Sequence, residues 1–149
     1  LILCALGFGG VLERTGILAY LLQLMLRGVR GAGSLITTTV LTCIGTNVLA
    51  ADQFIAVALP GRMYKDAYER EGLTRLNLSR TLEDSATQTS ALIPWNTCGA
   101  YMSATLGVAT LSYAPYAFFN LLCPLVAIAY GYAHVALKPL ESGPAAEPA

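Results

Sequence analysis

An apolar stretch in the second half of the chain is interrupted by Ile93-Pro94-Trp95-Asn96-Thr97-Cys98-Gly99. Proline cannot donate a helical hydrogen bond, and asparagine and threonine carry polar groups that hydrocarbon cannot satisfy. A helix that breaks in this way at membrane depth exposes backbone groups, which need protein, water or a ligand as partners. The interruption therefore predicts a broken membrane helix with a binding role, and a proline kink alone is the simpler alternative.

The composition favours a membrane location for this helix. Hydrophobic residues make up 55% of the 149 residues and charged residues 12%, with a mean hydropathy of +0.57. A soluble domain carries about 25% charged residues. The net charge is zero and no basic run is interleaved with aromatics, so no nucleic-acid partner is predicted. Catalytic and phosphate-binding motifs are absent from the sequence, so no enzyme and no cofactor are predicted either.

Apolar and polar runs divide the chain into seven predicted segments. In chain order these are the end of a transmembrane helix (1–12), an interfacial amphipathic connector (13–30), an apolar unit (31–60), a cytoplasmic polar loop (61–77), a broken transmembrane helix (78–111, break Pro94–Gly99), a last transmembrane helix (114–137) and a disordered cytoplasmic tail (138–149). Because the chain begins inside an apolar run, we expect it to be the C-terminal part of a longer polypeptide.

The apolar unit 31–60 contains the polar run Gly45-Thr46-Asn47 near its middle. A single span needs about 20 residues, whereas two arms of about 14 residues, each about 21 Å long, would reach mid-membrane and return. The re-entrant hairpin, with its tip at Gly45–Asn47, places Arg27, Arg30, the 61–80 segment and Lys138 on one side of the membrane, which the positive-inside rule makes cytoplasmic. A tilted, broken span is the alternative.

The two polar breaks supply hydroxyl and amide oxygens from Thr46, Asn47, Asn96 and Thr97. These are hard ligands, suited to Na⁺ better than to soft metals. Asp52 follows Asn47 by five residues, and an intramembrane carboxylate indicates function by default. Burial favours its protonated form and a bound cation its ionised form, so proton and sodium would compete there. A structural carboxylate that accepts hydrogen bonds from helix amides is the alternative.

A polar stripe follows on the next helix, where residues at spacings of 0, 3, 4, 7 and 8 share one face: Thr81, Asp84, Ser85, Gln88 and Thr89. A polar stripe on a membrane helix faces protein or water, so it predicts either a cation pathway or a packing surface. Arg80 precedes Asp84 by four residues, and an ion pair is the alternative to a transport role for that carboxylate. The small residues Gly99, Ser103 and Gly107 recur every four residues and predict a close helix contact.

Several strings together carry a family resemblance. The chain resembles the NhaC family of sodium/proton antiporters in the runs Gly45–Asn47, Asp52–Phe54, Leu59–Tyr64, Leu78–Ser85, Ile93–Ala100 and Tyr116–Asn120. The resemblance implies a multi-pass secondary transporter of a prokaryotic inner membrane, built from two inverted repeats with re-entrant hairpins and broken helices. This chain would be most of the second repeat. The family often has Asp-Ser-Gly where Ala86 follows Ser85 here.

The expected fold is therefore an all-α membrane protein, half of an inverted-repeat transporter. The expected function is sodium/proton antiport, with Na⁺ held by Thr46, Asn47, Asn96 and Thr97. Cation and proton transport involve Asp52, Gln53, Asp84, Thr81, Ser85 and Thr89. Expected partners are the lipid bilayer and the N-terminal half of the transporter, and a homo-oligomer is compatible with the sequence. A malate/lactate or amino-acid exchanger is the first alternative, and a non-transporting membrane scaffold is the second.

Overall fold

The computed structural model of the chain describes residues 2–29, 31–133 and 137–139. Within these ranges the secondary structure is helical, apart from an isolated bridge between Leu73 and Pro139, so the all-α prediction is confirmed there. The helices are α1 (Ile2–Arg14), α2 (Ile17–Leu26), α3 (Ala32–Ala50), α4 (Gln53–Arg70), α5 (Arg75–Leu82), α6 (Gln88–Ser90), α7 (Thr97–Leu106), α8 (Thr110–Tyr113) and α9 (Phe118–Ala133). Most of the predicted tail lies outside the described residues, as does Arg30.

Helices α3 and α4 form an antiparallel hairpin at the centre of the molecule. The Thr42 hydroxyl hydrogen-bonds the Tyr64 hydroxyl at 2.5 Å, and Tyr68 donates to Thr39 at 3.1 Å, so residue numbers rise along one helix as they fall along the other. Both tyrosines are fully buried. Because each hydroxyl has a partner, burial of these large side chains adds apolar contact without leaving a polar group unpaired.

The reversal between α3 and α4 lies at Ala51 and Asp52, where Ala51 has a φ of 56°. The predicted hairpin tip at Gly45–Asn47 is wrong, because these residues lie inside the continuous 19-residue helix α3. Thr46 and Asn47 are buried against neighbouring helices, and tertiary packing there overrides the weak helix preference of Gly-Thr-Asn. The predicted loop at 61–77 is also wrong in its first part, because α4 continues to Arg70.

A third long helical segment runs parallel to α3. It begins with α5, passes through a π-helical turn (Glu83–Thr87) and ends with α6. The Ser85 hydroxyl interacts with Cys43, and Asn47 bonds Thr89 four residues further along both helices, which fixes the parallel direction. Hydroxyl groups that bond the carbonyl four residues earlier bend helices, and Ser85 does so to Thr81 inside the widened turn.

The break after α6 begins earlier than the sequence predicts. Backbone leaves the helix at Ala91 and re-enters one at Thr97, with Asn96 as the N-cap of α7. The predicted helix 78–111 is not a single broken rod, because the chain turns back at Gly107, which has a φ of 67°. Thr110 then donates to the carbonyl of Gly99 at 3.1 Å, and Ser103 to that of Val108 at 2.8 Å.

The small-residue stripe on α7 is explained by this local packing. A Cβ at Gly99 would lie 2.0 Å from the carbonyl oxygen of Ile93, so the break itself makes the close approach there. Gly107 provides the left-handed turn that ends α7. The small residues that predicted contact with another helix therefore serve, in the described structure, the turns on either side of α7.

The last helix, α9, returns antiparallel to α3. Gly33 faces the Tyr132 ring and Gly131 faces Ile36, with ideal Cβ positions 2.8 Å and 3.0 Å from those side chains. Beyond it, the carbonyl of Lys138 accepts hydrogen bonds from the Thr74 amide and the Asn77 side chain. The described ends of α4 and α9 and the start of α5 therefore meet at one end of the bundle.

This end carries much of the positive charge of the described chain, from Arg27 after α2 through Arg70 and Arg75 to Lys138. Arg75 Nε donates to Glu69 at 2.7 Å, and this contact holds the pKa of the Glu69 carboxyl below its ordinary value of 4.5. The breaks at residues 51–52 and 91–96 lie at the opposite end. We call the two the basic end and the break end.

By length and composition, one described helix is apolar enough to cross a membrane: α3, which is about 28 Å long at 1.5 Å per residue. The segment Thr110–Tyr116 and α9 together meet the same test, with a 58° bend between them. Helices α1 and α2 pack against α3. A Cβ at Gly9 would lie 2.4 Å from the carbonyl oxygen of Ala50, so α1 meets α3 at backbone distance.

Candidate functional site

Three chain segments converge at the break end, where the last carbonyls of α3 have no partner within their own helix. Side chains of the 91–96 break supply the missing donors. Trp95 Nε1 donates to the carbonyl of Val48 at 2.9 Å, and Asn96 Nδ2 to that of Asn47 at 3.3 Å. The Thr97 amide donates to the carbonyl of Ala51 at 3.1 Å. The interruption in the sequence thus caps a helix that lies about 45 residues earlier.

The two asparagines predicted as ligands lie in direct contact. Asn96 Nδ2 donates to Asn47 Oδ1 at 3.1 Å, and both side chains are fully buried. Asn47 Nδ2 in turn donates to the carbonyl of Ala86 at 2.7 Å and to Thr89 Oγ1 at 3.1 Å. Asn96 Oδ1 accepts from the amide of Cys98 at 3.1 Å. This amide pair connects α3, the π-helical turn and α7.

Asp52 is the N-cap of α4. Its Oδ1 accepts from the amides of Phe54 at 2.6 Å and Ile55 at 3.4 Å. The alternative stated for this residue, a structural carboxylate bonded to helix amides, is therefore what the geometry shows. The same side chain also lines a cavity of about 490 Å³, together with Gln53 and Thr97, so the cap bonds do not remove it from the site.

Gln53 and Thr97 link the cavity to the buried amides. Gln53 Oε1 accepts from Cys98 Sγ at 2.7 Å and from Ser90 Oγ at 3.3 Å. Thr97 Oγ1 lies 3.5 Å from Asn96 Oδ1. The structure thus brings together five of the predicted residues: Asn47, Asp52, Gln53, Asn96 and Thr97.

Thr46 does not belong to this group. It lies on the side of α3 that faces α2 and lines an apolar cavity of about 180 Å³ with Leu18, Leu22 and Met25. Its Oγ1 is buried and has no hydrogen-bond partner among the described residues. A buried hydroxyl without a partner costs stability, and no sequence pattern indicated this one.

The hydroxyl stripe on the α5–α6 segment faces the protein interior. Thr81, Ser85 and Thr89 are buried, and each donates to the carbonyl four residues earlier. Their donor protons are thus directed at their own helix. Of the two interpretations of the stripe, the described geometry fits a packing surface against α3 and α4.

Asp84 lies near Thr81 on the same segment, at its boundary with α9. Its Oδ2 is 3.7 Å from Arg80 Nε, and the Arg80 guanidinium lies 5.7 Å from the centre of the Tyr130 ring. The ion pair that the spacing allows is present. Both residues line a cavity of about 270 Å³ bordered by α9, and Asp52 lies elsewhere, on the separate 490 Å³ cavity.

Some residues at the site could not be found from sequence. Glu83 and Thr87 line the cavity beside Asp52, and Trp95 caps α3. Their position depends on the π-helical turn and on the fold of the break, which no local pattern indicated. The cysteines are free in the described structure: Cys43 is buried, and Cys98 and Cys123 are half-buried. Cys4 is exposed, although a cysteine within an apolar run is most often buried.

Comparison with known proteins identifies the family. The profile described as "Na+/H+ antiporter family" matches residues 1–135, which is most of the chain. This chain belongs to the Na⁺/H⁺ antiporter family. The resemblance to NhaC antiporters that the motifs carry is thereby confirmed, and no solved structure matches the chain.

Curated relatives agree with this membership. The Na(+)/H(+) antiporter NhaC of Alkalihalophilus pseudofirmus is 41% identical over 132 residues, and that of Bacillus subtilis is 36% identical over 132 residues. Each alignment covers 89% of this chain and 29% of the relative, so the chain spans about 29% of the length of these antiporters. The arginine/ornithine antiporter ArcD of Halobacterium salinarum is 37% identical over 128 residues, covering 86% of the chain and 26% of that protein. All three of these relatives are named as antiporters.

Proposed function

We propose that the chain is part of a secondary transporter that exchanges Na⁺ for H⁺ across the cytoplasmic membrane of a prokaryote. Family membership supports the exchange, and the apolar helix α3 supports the membrane location. The rest of the transporter and the lipid bilayer are the proposed partners. Since the aligned segment is 29% of each of these relatives, the activity belongs to the longer protein.

One observation carries the proposal for the site: the C-terminus of α3 meets the 91–96 break through the buried Asn47–Asn96 pair. The C-terminal end of a helix carries partial negative charge, which favours a cation. Asp52 adds a full negative charge on the adjoining cavity, and Gln53 and Thr97 add oxygen atoms. These groups are hard ligands of the kind that Na⁺ prefers.

The proposed exchange depends on competition at Asp52. The ionised carboxylate, with Thr97 and Gln53 beside it, attracts Na⁺ into the cavity. Protonation removes that charge and releases the cation. Because the two ions need the same carboxylate in different states, binding of one on either side of the membrane displaces the other.

The test is Asp52→Asn in the full-length transporter, assayed as Na⁺-dependent proton movement in everted vesicles. Asparagine is as good an N-cap as aspartate, so α4 keeps its cap while the charge is lost. We expect the exchange rate to fall at least about tenfold, the cost of roughly 1.4 kcal/mol of lost charge interaction. Asp66→Asn, on the exposed face of α4, is the matched control and should keep normal exchange. Normal exchange in Asp52→Asn at normal expression would remove Asp52 from the mechanism.

A second candidate function is exchange of an organic acid or amino acid. It is favoured by relatives such as the malate-2H(+)/Na(+)-lactate antiporter of Bacillus subtilis, 34% identical over 131 residues. The N-terminus of the ten-residue helix α7 also points at the break end and would suit a carboxylate. Proton movement that needs malate, lactate or arginine, and that sodium alone does not drive, would favour this function over the first.

A further inference from the structure

The cavity beside Asp52 is open and is lined by both polar and apolar side chains, the apolar ones being Phe54 and Val57. It has a volume of about 490 Å³ and lies between α4, the π-helical turn and the start of α7. The polar lining residues are Asp52, Gln53, Glu83, Thr87, Thr97 and Cys98. A second cavity, of about 370 Å³, shares four of them and continues toward Ser90 and Tyr101. Thr97, which lines both cavities, lies 3.5 Å from Asn96 Oδ1, so the cavities end one side chain away from the buried amide pair.

Glu83 is the second carboxylate of this cavity, and the sequence pattern assigned it no role. Its Oε2 accepts from Thr87 Oγ1 at 3.0 Å, one turn along the π-helical segment. Asp84, the next residue, is directed instead toward Arg80 and the cavity bordered by α9. The two neighbouring carboxylates therefore face different sides of the same helix. Only Asp84 has an ion-pair partner among the described residues; Glu83 and Asp52 have none there.

Glu83 lies at the same level along the bundle as exposed apolar side chains of α9. Asn120 of α9 donates to the carbonyl of Gln88 at 2.9 Å, and Cys123 lines the same cavity as Asp84. The Glu83–Thr87 turn is therefore level with the first turns of α9, whose exposed side chains include Phe119, Leu121 and Leu122. A charge at that depth must face water or protein, because hydrocarbon cannot solvate it.

We propose that Asp52 and Glu83 make this cavity an acidic, water-filled entrance through which a monovalent cation reaches Thr97, beside the buried amide pair. The identity of that cation as sodium rests on the proposed function. Two carboxylates without cationic partners raise the local concentration of cations and exclude anions. No lysine or arginine lines the cavity within the described residues. Glu83 acts here on entry, and Asp52 acts on both entry and binding.

Cys98 allows a test that does not depend on the cargo. Its half-buried thiol lines both cavities, so reagents that enter from water should reach it. We would compare modification of the full-length protein in membranes by a cationic and an anionic methanethiosulfonate, with the Cys98→Ser variant as background. Each rate of modification is divided by the rate of the same reagent with free 2-mercaptoethanol. We expect the normalised rate at Cys98 to be about fivefold higher for the cationic reagent, the size of effect produced by carboxylates several ångströms away in a partly aqueous site.

Glu83→Gln should lower that preference by about half or more, and 0.5 M salt should lower it in the wild-type protein by screening. Glu71→Gln, which removes the same charge from the exposed end of α4, should leave it unchanged. No modification of Cys98, or equal modification by the two reagents in the wild-type protein, would overturn the proposal. Because this result comes from the wild-type chain, it stands even where Glu83→Gln fails to accumulate.

Transport kinetics provide the second measurement. Glu83→Gln should raise the apparent KM for Na⁺ about fivefold while Vmax stays within twofold, because the charge assists entry and not the exchange step. Glu83→Asp, which keeps the charge, should restore most of the affinity. A loss of Vmax at unchanged KM would make Glu83 a structural residue and contradict the entrance. If the wild-type protein moves no sodium, the proposed function fails, while the charge preference at Cys98 still decides the entrance.

Discussion

The buried amide pair provides the sharpest test of the fold at the break end. Asn47→Ala removes three side-chain hydrogen bonds: two donated by Nδ2, at 2.7 Å and 3.1 Å, and one accepted by Oδ1 at 3.1 Å. Thr89 still donates its hydrogen bond to Ser85, and Asn96 Nδ2 still donates to the carbonyl of Asn47 at 3.3 Å. The largest effect therefore falls on the carbonyl of Ala86, which loses the hydrogen bond from Asn47.

The expected loss follows from these contacts. Hydrogen bonds within membrane bundles contribute about 0.6 kcal/mol each, and those in soluble proteins about 1 kcal/mol. Three bonds, with the volume left empty at a fully buried site, give a loss of about 2–3 kcal/mol in the free energy of unfolding. Asn120→Ala is the matched control, since that half-buried side chain makes a single bond, at 2.9 Å, and should cost about 0.5–1 kcal/mol.

The assay is denaturant unfolding of the purified full-length transporter in bicelles, followed by a probe attached near the break end. Denaturant slopes should agree between the variants, so that midpoints report stability. If Asn47→Ala costs no more than Asn120→Ala, the two asparagines do not form the buried contact, and the meeting of the two breaks is refuted. This reading is independent of any transported ion.

Three further predictions address single features. Gly45→Ala should be neutral or stabilise the protein by up to about 1 kcal/mol in the same unfolding assay, because the residue lies inside α3 and no atom lies within 4 Å of its ideal Cβ. A large loss of stability would instead support a hairpin tip at that position. Thr46→Val replaces an unpartnered hydroxyl by a methyl group and should keep stability and Na⁺ affinity, whereas a loss of Na⁺ affinity would return Thr46 to the cation site. The pKa of Glu69 is lowered in the folded protein, so its contact with Arg75 stabilises the fold above about pH 4.5, and this stabilisation is lost as the pH falls through the lowered pKa. The difference in stability between the wild type and Arg75→Gln should therefore vanish in acid. A difference that persists in acid would rule out the ionic contact.

Much of the site was predictable because polar groups are rare in an apolar chain. Asn47, Asn96 and Thr97 stand out against their neighbours for that reason, and the structure brings them together. Thr46 stands out equally but faces α2, because consecutive helical residues point about 100° apart. The pattern identifies polar positions, and the direction of each side chain follows only from the helix that carries it.

The positions of the breaks were harder to predict. A glycine-threonine-asparagine run has weak helix preference, yet α3 continues through it because its polar side chains are enclosed by α2 and the α5–α6 segment. The reversal falls at Ala51 and Asp52, where the carboxylate caps the next helix. Local preference and tertiary burial conflict at residues 45–47, and burial decides the outcome.

The sequence alone determined that the chain is helical, belongs with membrane antiporters and carries two polar interruptions, because composition, hydropathy and extended motifs are properties of the chain itself. Only the tertiary structure decided that the second interruption caps the end of α3 and that Glu83 shares a cavity with Asp52. Those facts depend on contacts between residues 30 to 50 positions apart. A hydrogen bond across that separation is set by how helices pack, and no local pattern encodes it.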